Sequence, residues 1–117
     1  MSSREYLHKL YLLQDLDLLL QQVEDPEYTA KTGLEINEER IELIKQRRDE
    51  LARELQKADP ITYEMYEKLK KRYGRGITRV VDDMCTNCFV ALPSSMMKTE
   101  DRIETCPNCG IILIWLD

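Results

Sequence analysis

The chain has 117 residues, 33% of them charged, a formal net charge of −5, four prolines, four glycines and one phenylalanine. That is one small domain's worth of length with little material for a single globular core, so an extended, helix-rich shape is expected. No run approaches the ~18 apolar residues of a transmembrane helix, the acidic balance argues against a general nucleic-acid binder, and the polar opening Met1 to Lys9 is no signal peptide, which points to the cytoplasm.

Ser2-Ser3-Arg4-Glu5 offers a capping box, after which Tyr6, Leu10, Leu13, Leu16, Leu20 and Val23 recur at spacings of three and four. An amphipathic helix over residues 1–24 follows. Leu7, Leu12, Leu18 and Leu19 widen its apolar surface beyond a narrow seam, so it touches more than one partner and offers a dimer surface. Asp25-Pro26 ends it, residues 25–32 form a polar connector, and Thr32-Gly33-Leu34-Glu35 supplies a second capping box.

A second helix over 33–58 carries Leu34, Ile41, Ile44, Leu51, Leu55 and Ala58 in heptad register, with Asn37 and Arg48 at two core-type positions. The charges around them read as a solvated face. Two helices of similar length suit an antiparallel coiled-coil hairpin. Asp59-Pro60 then caps and opens a third helix running to Tyr73, with Ile61, Met65 and Leu69 on one face, until Gly74-Arg75-Gly76 breaks it.

Ile77 to Val81 is β-branched and reads as a strand leading to Cys85-Thr86-Asn87-Cys88. Adjacent Asp82 and Asp83 read as turn residues. A strand around Arg102 to Thr105 leads to the second pair, Cys106-Pro107-Asn108-Cys109, and Ile111 to Leu116 closes the chain as an entirely apolar strand. Its alternation puts Ile111, Leu113 and Trp115 on one face and Ile112, Ile114 and Leu116 on the other, so both faces need cover. Val80 and Leu92 are placed to cover one, leaving the other for the helical arm or a partner.

The four cysteines are the only ones in the chain, and seventeen residues separate the pairs. Two two-residue gaps at that separation present four thiolates to one ion. Gly110 can adopt the positive φ that the second turn needs; Phe89 holds the equivalent place in the first. A disulfide pair, a redox dithiol and unrelated buried thiols are the competing readings; a reducing cytoplasm and the lack of a βαβ setting weigh against them. One structural Zn²⁺ held by Cys85, Cys88, Cys106 and Cys109 is the favoured reading, with iron the lesser alternative. Four protein ligands leave no open position, and no nucleophile, phosphate-binding loop or metalloprotease helix accompanies them, so no enzyme is expected. His8, the single histidine, reads as a surface residue.

Charge is distributed unevenly. Residues 1–59 hold nine basic and fourteen acidic side chains, 60–79 six and two, and 80–117 two and six, for sums of −5, +4 and −4. The basic run Lys68, Lys70, Lys71, Arg72, Arg75 and Arg79, interleaved with Tyr66 and Tyr73, is therefore the candidate RNA contact: cations neutralise phosphates and exposed tyrosines stack on bases. The alternative is a solvated helix end whose lysines favour the helix dipole.

The fold expected is mainly α with a small β zinc ribbon: a helical-hairpin arm over 1–59, a connecting basic helix over 60–76 and a ribbon over 77–117. The run Val81-Asp82-Asp83-Met84-Cys85-Thr86-Asn87-Cys88, Leu92-Pro93 and Cys106-Pro107-Asn108-Cys109-Gly110 with Leu113 and Trp115 resembles the bacterial C4-type zinc-ribbon proteins that carry an N-terminal coiled-coil hairpin. Tyr63-Glu64-Met65-Tyr66-Glu67-Lys68-Leu69 and Leu12-Leu13-Gln14-Asp15-Leu16-Asp17 are similar to that family too. The resemblance implies a non-enzymatic regulatory adaptor that binds a protein of the transcription machinery, with links to sigma factor 54, flagellar gene expression and messenger RNA. The arm is shorter than is usual there. Ile111 and Ile114 replace residues that are often polar or aromatic, which favours protein contact or self-association at that strand.

Overall fold

The computed structural model describes residues 1–24, 38–93, 96 and 102–116. Among them are three helices, α1 (Ser3–Glu24), α2 (Glu38–Ala58) and α3 (Pro60–Tyr73), and three strands, β1 (Ile77–Val81), β2 (Met84–Cys85) and β3 (Ile112–Ile114). The connector over 25–32, the second capping box, Leu34 and Asn37 lie outside the described residues.

Helices α1 and α3 begin where their capping chemistry dictates. The Ser2 hydroxyl accepts from Glu5 N–H at 3.2 Å. Asp59 accepts from Thr62 N–H at 3.1 Å and from the Thr62 hydroxyl at 2.6 Å, with Pro60 at the first helical position. Gly74, at φ 80°, closes α3 by donating to Lys70 O at 2.8 Å. The C-terminus of α2 is closed from another element. The Tyr6 hydroxyl of α1 lies 3.1 Å from Leu55 O and 3.0 Å from Asp59 O, carbonyls that also accept from Asp59 N–H and Tyr63 N–H.

Helices α1 and α2 run antiparallel, since Lys9 pairs with Glu54 near one end and Glu24 with Lys45 near the other. Along α2 the less exposed stripe is Ile41, Ile44, Arg48, Leu51, Ala52 and Leu55. Ala58, expected in that stripe, is exposed, and Ala52 takes part instead. Arg48 occupies its core-type position as an ion pair: its Nε lies 2.7 Å from Asp17 Oδ1.

Strand order is β2-β1-β3, antiparallel between β1 and β2 and parallel between β1 and β3. The β1–β2 turn is Asp82-Asp83, both at positive φ (51° and 58°), as a two-residue type I′ hairpin requires. The expected strand over Arg102 to Thr105 is reduced to a single bridge, Thr105 to Ile112, and the closing strand is three residues long. The second cysteine turn draws the chain into pairing only at its mouth.

The apolar closing strand joins two cores. Ile112 and Ile114 pack with Tyr6, Leu10, Leu13, Leu55, Tyr66 and Ile77 under the helices. Ile111 and Leu113 pack with Val80, Cys85 and Cys106, and Leu92 and Trp115 lean on them. Each fully buried Leu or Ile contributes about 1.5–3 kcal/mol. Ile111 and Ile114 are 0% and 2% exposed, so the expected protein contact or self-association through that strand is corrected: the chain itself covers both faces.

Polar groups fix how helices meet sheet. Gln14, 5% exposed, accepts from Gly76 N–H (2.7 Å) and Ile77 N–H (3.0 Å) and donates to Ile77 O (2.8 Å). Asp17 accepts from the Tyr66 hydroxyl at 2.9 Å and pairs with Arg48 and Lys70, so one carboxylate ties α1 to α2 and α3. Burial, then Asp17, pushes the Tyr66 hydroxyl far above the ordinary tyrosine range.

Candidate metal centre

Both cysteine turns share one backbone plan. In the first, Phe89 N–H donates to Cys85 O at 2.8 Å and Cys85 N–H to Val90 O at 3.1 Å; in the second, Gly110 N–H donates to Cys106 O at 2.8 Å and Cys106 N–H to Ile111 O at 2.9 Å. Each turn thereby folds back on its first cysteine and aims two sulfurs the same way. Their closing residues, Phe89 and Gly110, are both at positive φ, 60° and 81°.

Facing each other, the turns bring Cys85 Sγ within 3.8 Å of Cys109 Sγ and Cys88 Sγ within 3.7 Å of Cys106 Sγ. All four sulfurs lie within 4.8 Å of one another, and none is in a disulfide. Four sulfurs placed tetrahedrally at about 2.3 Å from an ion are separated by about 3.8 Å. The predicted ligands Cys85, Cys88, Cys106 and Cys109 are thus close enough to bind one metal ion, and the Cys85–Cys109 and Cys88–Cys106 distances match that geometry.

The cysteines differ electrostatically. Burial pushes the Cys85 thiol up to about 12, although backbone N–H groups of Cys88 and Asn87 oppose it. The Asn108 side chain, followed by Val90 N–H, lowers Cys88 to about 6 despite some desolvation. Asn87 Nδ2 lies 3.5 Å from Cys109 Sγ. Each turn's asparagine thus acts on a cysteine of the other turn, Asn87 by donating to Cys109 Sγ and Asn108 by stabilising the Cys88 thiolate. Sequence reasoning missed this role, although the signal was present in Asn standing directly before the second cysteine of both pairs.

Hydrogen bonds tie the centre to the rest of the fold. The Thr86 hydroxyl donates to Arg79 O at 2.6 Å, so the Thr78 hydroxyl, 2.6 Å away, donates to Thr86 and locks the first turn to β1. The Tyr73 hydroxyl donates to Cys109 O at 2.8 Å and holds the second turn to the end of α3.

The basic run is divided by the fold. Lys70 faces inward, its side chain 20% exposed, 3.2 Å from Asp17 and 3.3 Å from Glu67. Lys68 pairs with Glu64 one helical turn back, and the Arg72 guanidinium lies 5.1 Å from the centre of the Tyr73 ring. Lys71, Arg72, Arg75 and Arg79 are exposed. The expectation of stacking tyrosines is corrected for Tyr66, which is fully buried by the core it completes; Tyr73 is half-buried, and its hydroxyl donates to Cys109 O. His8 is exposed, and among the described residues no helix is long and apolar enough to cross a membrane.

No protein-family model matches the chain, and no curated protein or solved structure matches it either.

Proposed function

We propose that the protein is a non-enzymatic regulatory adaptor in which one structural Zn²⁺ holds a C-terminal ribbon beside a helical hairpin, and that it docks on a protein of the transcription machinery, a sigma factor among the candidates. The observation that supports this reading is the closed sulfur cluster. Four thiolates complete a tetrahedral shell, two of them from residues 0% and 2% exposed, which leaves no position for water or substrate. When bound, the ion cross-links two turns that have only a small core between them. The resemblance to bacterial zinc-ribbon proteins supplies the transcription partner.

RNA binding as the main activity is the second reading, favoured by exposed Lys71, Arg72, Arg75 and Arg79. It ranks lower because Lys70 is neutralised inside the fold and Tyr66 is inaccessible. Self-assembly through α1 has exposed Leu12, Leu18 and Leu19 in its favour, and light scattering that finds a monomer at high concentration removes it.

Recovery of the tagged chain from its own cells tests the choice. Polymerase subunits or a sigma factor are expected to co-purify. RNA without such proteins, held by an affinity that falls as salt rises, contradicts the adaptor reading.

A further inference from the structure

The two cysteine turns end differently although their backbones match. Glycine closes the second at φ 81°, and a phenylalanine closes the first at φ 60°. An L-residue in that region costs about 1–2 kcal/mol that glycine avoids. Packing does not recover the cost, because Phe89 is 68% exposed.

Other apolar groups surround it in sequence and register. Val81 stands opposite Met84, and Met84 opposite Ala91. Their neighbours Val80 and Cys85 face the core, so alternation along the strands turns Val81 and Met84 outward. Val81, Met84 and Val90 are 41%, 37% and 40% exposed, and Ala91 is exposed as well. Exposed Asp82 and Asp83 lie between Val81 and Met84 at the hairpin end.

Scattered surface hydrophobics are ordinary, whereas backbone strain kept in place to display an aromatic ring is not. We propose that the outer face of the β1–β2 hairpin, with Phe89 as its aromatic anchor, is the docking surface for a protein segment that is both apolar and basic. This rests on the adaptor reading and gives it a surface. Charge selects the occupant. Exposed Asp82 and Asp83 stand at this hairpin end against the single exposed Arg79 of β1, and four thiolates around a divalent ion would add about −2, a balance that attracts Lys and Arg and repels phosphate. Phenylalanine and methionine are enriched at the cores of protein interfaces.

The experiment is a titration of the ¹⁵N-labelled, metal-loaded full chain with two ten-residue peptides, one alternating Leu and Arg, the other Leu and Glu. The Leu-Arg peptide is expected to shift the amide signals of Met84, Phe89 and Val90. Phe89→Gly is expected to weaken that binding at least about ten-fold while raising the thermal unfolding midpoint, a combination that a merely structural role does not give. Equal binding of the two peptides, no shift at the hairpin, undiminished binding by Phe89→Gly, or a single-stranded RNA that shifts the same signals overturns the proposal. Failed peptides with transcription proteins still recovered from cells overturn the surface and leave the adaptor reading standing; failed peptides with RNA alone recovered overturn both.

Discussion

Gln14 and Ile77 are joined by two hydrogen bonds: the Gln14 carboxamide donates to Ile77 O at 2.8 Å and accepts from Ile77 N–H at 3.0 Å, across 63 residues of chain. The same oxygen also accepts from Gly76 N–H at 2.7 Å. A side chain in α1 therefore sets where β1 begins. Gln14→Leu keeps the volume and leaves three buried backbone groups without partners, so a loss of about 3 kcal/mol is expected. Urea denaturation measures it; a change under about 0.5 kcal/mol shows that water replaces the carboxamide.

Gly76 is required by proximity. A Cβ there would lie 2.6 Å from Tyr66 O and 2.9 Å from a Tyr66 ring carbon, with no flexible side-chain end to yield. Gly76→Ala is expected to cost about 3 kcal/mol through overpacking. Thermal unfolding tests this, and an alanine variant as stable as the parent contradicts it.

Much of the plan was legible because it is periodic or local. The leucine spacing of α1, the Asp59-Pro60 start of α3, the break at Gly74 and the paired cysteines each announce themselves within a few residues, and the alternation of the closing strand predicted two covered faces. What escaped was polar and distant. Gln14 and Asp17 interrupt a leucine-rich helix, and their partners lie in β1, α2 and α3, so only the folded chain brings them together. Lys70 and Tyr66 failed as a nucleic-acid pair for the same reason: Asp17 holds both. Parallel pairing of β1 with β3 carries no local signature, because it joins strands separated by the whole cysteine region.

Asn87 and Asn108 are expected to act on metal affinity rather than on folding. Asn87→Ala and Asn108→Ala are each expected to weaken metal binding about ten-fold or more, the usual effect of removing a group that orients a ligand. Competition with a chromophoric chelator reads this directly. Unchanged affinity in both variants shows that the amides are bystanders.

Metal affinity should depend on pH with a definite sign. Burial pushes the Cys85 thiol up to about 12, so it is protonated at neutral pH, whereas Cys88, lowered to about 6, is already largely thiolate there. The metal-free site therefore holds more protons than the loaded one, binding releases them, and affinity rises with pH and falls on acidification. Titration in weakly buffered solution at several pH values shows the release. Binding without proton release contradicts the assignment of the cysteines as thiolate ligands.

Because Ile112 and Ile114 sit in the helical core while Ile111 and Leu113 sit beside the cysteines, damage at the metal should reach the helices. The shared strand predicts that serine substitution at one cysteine lowers the helix melting temperature as well as unfolding the cysteine turns. Native mass spectrometry of the wild type and Cys106→Ser, with elemental analysis of the bound metal, tests the central claim most directly. One zinc ion per wild-type chain, lost in Cys106→Ser together with the dispersed amide signals of both cysteine turns, is the predicted result. A wild-type chain without zinc, or a Cys106→Ser chain that keeps its ion and its turns intact, would contradict it.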